Sequence, residues 1–382
     1  MNRSANQPQQ SVCIVQPVMK QYRLPFFTAL AERLAVDGIE LQVVYGAPWE
    51  RERQRGDHPE LPPPLGRRVQ SRMLGGKLLW LPAVRPWMAA DLVVVEHANK
   101  NLLNVPLAML WRLGIKRVAY WGHGRDRQVD PGTLGERLKR RSLHWADWWF
   151  AYTDAAATYV AGQGFDPARI TTVHNAIDTR ELRAQLAQVS AADRAGALRE
   201  LGWPADARIA VYCGALYENK RLDWLMQASE QVHAQHPGFR LLIVGGGPQA
   251  GQVEAFAKTR DWVRWVGPKF GPDKARMLSL AQMWLNPGLV GLGILDAFCA
   301  GLPLLTTDLP VHSPEIEYLE PGRSGLITEP SAAAFAAAIE ALLDDPARLA
   351  AMRAAAEAAS RRYSIEAMAE NFAAGVTRWL GR

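Results

Sequence analysis

Short apolar runs alternate with amphipathic, helix-like stretches along nearly the whole chain, and this alternation limits the possible folds more than any other feature. In the first half, such runs occupy 12–17, 39–46, 91–97 and 117–123. Parallel strands need long crossover connections, which are usually helices. Strand-like runs separated by helical segments therefore predict a doubly wound parallel sheet in an α/β domain.

The same rhythm starts again in the second half, at 209–215, 239–247 and 302–308. A chain of 382 residues is too long for one compact core and suits two domains. Polar, Ala-rich sequence at 177–206 separates the halves. We therefore predict two Rossmann-like domains facing a central cleft, followed by a closing helix. The predicted domains are 1–180 and 181–360, and the helix 361–382 is expected to return to the N-terminal domain.

Cysteine spacing and charge indicate where the protein works. Cys13, Cys213 and Cys299 have no Cys-x-x-Cys spacing, so neither a disulfide scaffold nor a zinc site is expected, and a reducing cytoplasm fits. No signal peptide and no membrane-spanning apolar run is recognisable. Residues 1–180 hold 24 Lys and Arg against 16 Asp and Glu, a net +8, whereas 181–382 hold 20 against 22, a net −2. The first half therefore favours an anionic partner: lipid headgroups, phosphates or nucleic acid.

The carboxyl ends of parallel strands are where ligands bind in open α/β sheets. After the run 209–213 come Gly214 and then Lys220 and Arg221 at the start of a helix. A cation at a helix N-terminus is unfavourable by about 0.3–1 kcal/mol. A bound diphosphate therefore explains Lys220 and Arg221 better than simple solvation does.

Two further glycine-rich segments follow strands of the second half. Three glycines at 245–247 precede Pro248, a turn that permits close approach of a ligand but is often only structural. The segment 286–298 contains Gly288, Gly291 and Asp296. Asp296 fits equally well as a helix cap or as an acceptor for two ribose hydroxyls. Lys269 lies in a loop, 267–270, that we expect beside the base of a bound nucleotide.

In the first half, His123 lies between two glycines after a strand. A functional role and a structural role fit this position equally well. The loops after the first strands are expected to receive an acidic or hydroxylated acceptor. The predicted acceptor residues are Gln16, Tyr22, Arg23, Glu96 and Arg125. The basic, Trp-containing segment 137–149 suits either an anionic membrane surface or a solvated helix with a buried aromatic face.

The order of these segments resembles glycosyltransferase family 4, retaining enzymes of the GT-B fold. Gly214 and Lys220 keep the spacing of a family motif in which Ala215 replaces an arginine. Asp296 matches the second Glu of the family's Glu-x7-Glu motif, whereas Gly288 stands in place of the first. This PGxVGLxxxDA version resembles a branch of the family. Further matching segments are 121–124, 175–178, 244–248 and 297–303.

The resemblance implies a UDP- or GDP-linked sugar held mainly by the second domain. By residue matching, Lys220 would bind the diphosphate, Asp296 the ribose, and His123 would orient the sugar. We suggest, independently of the resemblance, that Arg221 takes the place of the missing arginine. Loop amides would take the place of the missing Glu. The predicted donor-binding residues are Gly214, Arg221, Gly245, Gly246, Gly247, Lys269, Gly288, Val290, Gly291 and Leu292. No Asp-x-Asp signature is suitably placed, so we expect neither a metal nor another cofactor.

These features together predict a retaining hexosyltransferase acting on a hydroxyl acceptor. Family and charge favour a lipid-linked glycan in bacterial surface polysaccharide synthesis, with the protein in the cytoplasm or peripheral on the inner membrane face. Two alternatives stay open: a non-catalytic nucleotide-sugar-binding protein, and an epimerase or phosphorylase of the same fold. Nucleic-acid binding is not expected, since basic residues mix with stacking aromatics only around 137–149.

Overall fold

The computed structural model describes residues 10–50, 59–75, 78–82, 84–124 and 134–381. The chain divides into two compact units, Met1–Asp178 with Ile365–Arg382, and Thr179–Ser364. The sequence prediction placed the corresponding boundaries at 180 and 360. We call these two parts unit 1 and unit 2 and describe each by itself.

The described strands all lie in three sheets, two of them parallel. The strands are β1 (Gln10–Gln16), β2 (Ile39–Gly46), β3 (Gly66–Val69), β4 (Arg72–Leu74), β5 (Leu78–Trp80), β6 (Leu92–Glu96), β7 (Arg117–Gly122), β8 (Trp148–Ala151), β9 (Ile170–Thr172), β10 (Arg208–Cys213), β11 (Phe239–Val244), β12 (Val263–Trp265), β13 (Met283–Leu285), β14 (Leu304–Thr307) and β15 (Gly325–Thr328). The predicted α/β class with two parallel sheets is confirmed.

The described α-helices alternate with these strands in both units. They are α1 (Leu24–Val36), α2 (Val84–Ala89), α3 (Asn104–Arg112), α4 (Leu134–Ser142), α5 (Asp154–Gly162), α6 (Arg180–Gln188), α7 (Ala191–Leu201), α8 (Leu222–Gln235), α9 (Ala250–Lys258), α10 (Gly271–Leu278), α11 (Gly293–Cys299), α12 (Ala332–Leu343), α13 (Pro346–Arg362) and α14 (Ile365–Leu380). None of the described helices is both long enough and apolar enough to cross a bilayer.

Unit 1 is built on a seven-stranded parallel sheet in the order β3-β2-β1-β6-β7-β8-β9, with β4 and β5 as a separate antiparallel pair. Its central strands β1 and β6 are nearly continuous apolar runs, because helices cover both faces of such a sheet. β1 lies between β2 and β6. The strand order therefore reverses beside β1, at the end of which Gln16 lies.

The C-terminal helix α14 packs against unit 1. Phe372 on this helix stacks on Phe150 of β8, with ring centroids 4.0 Å apart, and meets Phe26 of α1 edge-on at 5.7 Å. A Cβ atom added at Gly375 would lie 2.6 Å from the Phe150 ring and from Thr171, so the helix rests directly on the sheet. Burial of these aromatic rings holds the chain terminus in unit 1.

Unit 2 is built on a six-stranded parallel sheet in the order β12-β11-β10-β13-β14-β15. β10 lies between β11 and β13, so the order reverses there too. Tyr212, Leu241 and Leu305 from its strands are fully buried in a core that includes α8 and α12. In doubly wound sheets such a reversal separates the loops that follow the two strands, and leaves a crevice for a ligand.

Candidate donor site

The loops that follow β10 and β13 meet at the switch point of unit 2. The amide of Leu289 donates a hydrogen bond of 2.8 Å to the carbonyl of Asn219. Asn219 and Lys220 lie in a 3₁₀ turn, Glu218–Lys220, that precedes α8. The sequence predicted Lys220 in the first turn of α8, whereas the structure places Lys220 in the 3₁₀ turn that precedes α8. The two loops form one continuous surface at the carboxyl edge of the sheet.

Lys220 is the main cation of this surface. Its ammonium donates a hydrogen bond to the carbonyl of Leu289. Within the described part of the chain, no carboxylate oxygen lies within 4.0 Å of this ammonium. Burial lowers the pKa of Lys220 to about 8 from its usual 10.5. A cation that is desolvated without a neutralising carboxylate is poised to bind an anion.

Gly288 has a steric reason to be glycine. A Cβ atom at this position would lie 2.2 Å from the carbonyl carbon of Lys220 and 2.4 Å from the oxygen of Asn219. Any side chain here would push the two loops apart. The glycine at this position is therefore what lets the loop after β13 rest on the backbone of Lys220.

Two side chains, one at the end of β14 and one after it, fix the backbone of this loop. Thr307 Oγ1 donates to the carbonyl of Pro287 at 2.6 Å. The amide of Val290 donates to Nδ1 of buried His312 at 3.0 Å, and His312 Nε2 lies 2.7 Å from the carbonyl of Thr307. The Val290 amide is thus already used within the fold, so it does not replace the missing Glu as we had expected. His312 escaped prediction, although it follows β14 at the same edge of the sheet.

The amides of Gly291, Leu292 and Gly293 remain as donors beside this loop. In the regions that the structure resolves in detail, none of the three donates to another backbone carbonyl. They precede and begin α11, whose first turn also contains Asp296. Unsatisfied amides at the start of a helix favour an anion.

Asp296 forms an ion pair that the sequence did not predict. Lys274 on α10 donates to Asp296 Oδ2 at 2.7 Å, and the two side chains are only 22% and 19% exposed. Burial works to lower the pKa of Lys274, but the charge of Asp296 and the hydrogen bond between them raise it overall. Lys274 lies in the first turn of α10, the helix that follows β12, and that position at the carboxyl edge is the signal that could have identified it.

Arg221 is engaged elsewhere, which is contrary to the role that we predicted for it. Its guanidinium forms an ion pair with Asp223 at 2.9 Å and lies over the ring of Trp224, 3.5 Å from the centroid. Its backbone is left-handed, with φ 52°. Because Asp223 already neutralises this cation, Arg221 is a poor stand-in for the missing arginine. Lys274 is neutralised in the same way by Asp296, so Lys220 is the cation of this surface without a paired carboxylate in the described part of the chain.

The glycines after β10 and β11 pack these two loops together. The amide of Gly214 donates to Val244, and that of Gly245 donates to Gly267, both at 2.9 Å. A Cβ atom on Gly245 would lie 1.8 Å from the carbonyl oxygen of Gly214. The Gly214 and Gly245 amides are therefore not available to a phosphate, and these glycines permit close packing. Of the remaining predicted residues, Gly246 and Gly247 lie in the loop after β11, and Lys269 lies in the loop after β12.

In unit 1, His123 lies directly after β7, half-buried. Its ring meets that of Tyr152 edge-on, with centroids 4.2 Å apart. Gln16 and Glu96 end the neighbouring strands β1 and β6, as predicted, and Tyr22 is 38% exposed. The acceptor residue predicted at Arg125 lies outside the described residues.

Arg23 differs from the acceptor role that we predicted. It is only 4% exposed, and it donates to Asn175 Oδ1 at 2.8 Å and to Tyr152 Oη at 3.2 Å. Its guanidinium also lies over the ring of Trp121, 4.7 Å from the centroid. A side chain held this way organises the interior of unit 1 and does not meet an acceptor.

Two of the three tryptophans in the segment 137–149 are buried and do not face a membrane. Trp148 and Trp149 belong to β8 and are buried, and their indole nitrogens donate to Thr171 and to the carbonyl of Leu143. Only the preceding helix α4 keeps exposed basic residues, Arg137, Arg140 and Arg141. For Trp148 and Trp149, the interpretation in which they share the headgroup region is therefore wrong, and the buried aromatic face is correct.

Over the described residues, no group of three or more His, Cys, Asp or Glu side chains could hold a metal ion.

The profile of "Glycosyltransferase Family 4" matches residues 26–181, and that of "Glycosyl transferases group 1" matches residues 207–345. The two profiles lie one on each half of the chain.

Curated relatives and solved structures are similar over larger parts of the chain. A D-inositol 3-phosphate glycosyltransferase of Thermobispora bispora is 28% identical over 56% of this chain and 52% of its own length. The chain thus spans about half of that relative. An alpha-D-kanosaminyltransferase of Streptomyces kanamyceticus is 26% identical, over 80% of this chain and 82% of its own.

A crystal structure of Anabaena Alr3699/HepE in complex with UDP has the same fold. It superimposes with a TM-score of 0.67 at 16% identity, and the match covers 97% of this chain and 100% of the other. At this identity the likeness bears on the fold alone. The predicted GT-B fold is confirmed.

Proposed function

This chain belongs to the group 1 glycosyltransferases of family 4, and we propose that it is a retaining hexosyltransferase that uses a nucleoside-diphosphate sugar. The donor binds at the carboxyl edge of the sheet in unit 2. The named relatives, an inositol-phosphate glycosyltransferase and a kanosaminyltransferase, support sugar transfer in general. They differ in substrate, so the sugar and the acceptor are argued from this chain.

The observation that supports this proposal most is the partly buried ammonium of Lys220. Departure of a nucleoside diphosphate builds negative charge on the leaving phosphate, and a fixed cation stabilises that charge in the transition state. Lys220 is held in place by the carbonyl of Leu289 and by the loop around Gly288. Because it needs little reorganisation, its charge is available throughout the reaction.

The rest of the donor site follows from the same edge. The amides of Gly291 and Leu292 are placed to donate to phosphate oxygens. Lys274 occupies only Oδ2 of Asp296, so Oδ1 can accept a ribose hydroxyl. The loop that contains Lys269 lies beside the base of the donor. Charge stabilisation by these groups gives departure of the diphosphate without a divalent ion.

We propose a hydroxyl of a lipid-linked glycan as the acceptor, as in bacterial surface polysaccharide synthesis. The net +8 of residues 1–180 favours work at the anionic inner face of the cytoplasmic membrane. Exposed arginines on α4, such as Arg140, offer contacts to headgroups. Gln16, Tyr22 and Glu96 are the residues proposed to meet the acceptor.

A non-catalytic nucleotide-sugar-binding protein is the second candidate, and Gly288 motivates it. The close contact of Gly288 with Lys220 leaves no room for a carboxylate at this position. A site without that group binds the donor but lacks one contact to the sugar. Donor binding with no release of nucleoside diphosphate, in the presence of any acceptor offered, would favour this candidate.

The test is turnover of the Lys220→Met variant. Release of nucleoside diphosphate is measured for the wild-type protein with UDP-, GDP-, ADP- and dTDP-sugars, with and without short-chain polyprenyl-linked acceptors. We expect kcat to fall by about 10²–10³ in Lys220→Met. Lys258→Met, which removes an exposed lysine paired with Glu254, is the control and should keep full activity. Wild-type turnover in Lys220→Met would refute the assignment.

A further inference from the structure

Two neighbouring cavities lie at the amino edge of the sheet in unit 2, opposite the donor site. The first, of about 420 Å³, is lined by Ile209 at the start of β10 and by Gln282 just before β13. The second, of about 460 Å³, is lined by Ser279 and Gly301, which precede β13 and β14. Parallel strands place these residues at the end of the sheet that is remote from Gly214 and Lys220.

Arg194 on α7 and Arg353 on α13 line both cavities. Arg353 donates one bond, from Nη1 to the carbonyl of Ala281 at 2.9 Å, which leaves its other guanidinium nitrogens for a ligand. Arg183 also lines the second cavity, where it donates to Ser360. Three guanidinium groups therefore converge at one place.

Arg194 and Arg353 have no acidic partner among the described residues, unlike several other arginines of unit 2. Arg276 pairs with Glu200 at 2.7 Å, Arg323 with Glu320 at 2.6 Å, and the acid that lines the second cavity, Glu357, pairs with Arg361 at 3.0 Å. Across the described ranges, no carboxylate oxygen lies within 4.0 Å of the guanidinium of Arg194 or Arg353. Their positive charges are thus left uncompensated by the fold.

The electrostatics of Arg353 agree with this geometry. Partial burial, and then the positive charge of Arg194, hold the pKa of Arg353 below its usual range. Two like charges that face a common space repel each other, and an anion between them would remove that cost. Guanidinium groups suit phosphate in particular, because their planar N–H groups can bind two oxygens at once.

We propose that Arg194 and Arg353 form a binding site for the phosphate group of an organic phosphate. The carbon part of the ligand lies in the first cavity, whose walls include Leu198, Leu280 and Leu349. Each cavity has the size of a small-molecule site. The same chemistry is offered by a soluble phosphate ester and by a phospholipid headgroup. The site is independent of the donor site and of sugar transfer.

The test uses the full chain and two phosphate probes. Binding of sn-glycerol 3-phosphate is measured by calorimetry, and binding to phosphatidylglycerol-containing vesicles by co-sedimentation. Each is repeated with Arg194→Gln and Arg353→Gln. Arg323→Gln is the matched control, because it makes the same charge change at an arginine paired with Glu320. Lys220→Met reports binding at the donor site, and thermal melting confirms that each variant folds.

We expect one probe to bind the wild-type protein, the control and Lys220→Met alike, and to bind each cavity variant about tenfold or more weakly. Saturable binding of glycerol 3-phosphate would identify a soluble ligand. Vesicle binding alone, lost in the same two variants, would identify a headgroup. If neither probe separates Arg194→Gln and Arg353→Gln from Arg323→Gln, the proposed site does not exist.

Discussion

Lys220 illustrates how a single partly buried charge supports the proposed donor site. Its position beside a glycine-rich strand end was readable from the sequence, because glycine and a following cation are typical of phosphate loops. The sequence could not predict that Lys220 contacts Leu289 and has no acidic partner among the described residues. Both facts depend on a loop almost seventy residues away. The same limit explains Arg221, whose neighbour Asp223 neutralises it, and Lys274, whose partner lies on another helix.

The pKa of Lys220 predicts how donor binding depends on pH. Burial lowers this pKa to about 8, so the ammonium of the free protein loses its charge as the pH rises above that value. The diphosphate of the donor keeps its negative charge above pH 8, whereas Lys220 becomes neutral, so their attraction is lost. We expect donor affinity to fall by up to about tenfold per pH unit above pH 8. Titration calorimetry at pH 7–10 measures this.

The Lys220→Met variant is the comparison for the pH dependence. It should bind the donor weakly at every pH and lack the fall above pH 8. In the absence of ligand, the lowered pKa means that folding gains stability as the pH rises from about 8 towards 10.5, where only the unfolded chain is still protonated. A donor affinity that is flat across pH 7–10 in the wild-type protein would count against a role for this ammonium.

At the scale of the elements, the loop between β13 and α11 depends on contacts from other segments. Its position after a strand and its glycines were predictable from the chain alone. Its exact shape was not, because Thr307 and His312 fix its carbonyl and amide groups from beyond β14. The need for glycine at position 288 has the same kind of cause, a contact with the turn at Lys220.

Substitution of Gly288 by Ala tests the packing of this loop. The new Cβ atom would lie 2.2 Å from the Lys220 backbone, so the loop has to move. We expect a loss of about 1–3 kcal/mol in the free energy of unfolding, together with weaker donor binding. Chemical denaturation and calorimetry measure the two effects.

Gly251→Ala is the matched control for Gly288→Ala. Gly251 lies in α9, and a Cβ atom there meets nothing within 4 Å. Alanine should stabilise this helix by up to about 1 kcal/mol without changing donor affinity. Equal, neutral behaviour of both variants would mean that the loop does not rest on Lys220 as described.

At the scale of the whole molecule, the alternation of strands and helices was sufficient to predict two parallel α/β sheets. The order of the strands within each sheet and the reversals beside β1 and β10 came only from the structure. Trp148 and Trp149 show why surface roles are harder to predict. A basic helix followed by tryptophans reads like a membrane contact, but a buried strand uses the same residues as core.

The attachment of α14 to unit 1 predicts which unit a C-terminal substitution affects. Phe372 stacks on Phe150 and contacts Phe26, so Phe372→Ala should destabilise unit 1 by about 3–5 kcal/mol. Phe270→Ala, at a side chain 79% exposed in unit 2, is the control and should change little. Hydrogen exchange followed unit by unit measures both. Loss of protection mainly in residues 179–364 of Phe372→Ala would contradict this packing.

The most direct test of a diphosphate site at Lys220 is calorimetric titration with UDP-, GDP-, ADP- and dTDP-sugars, compared between the wild-type protein and Lys220→Met. We expect one of these donors to bind the wild-type protein with one-to-one stoichiometry. Its affinity should fall about tenfold or more in the variant, while the affinity for the corresponding nucleoside stays unchanged. Equal affinities of that donor for the two proteins, or no binding by any of the four, would contradict the assignment.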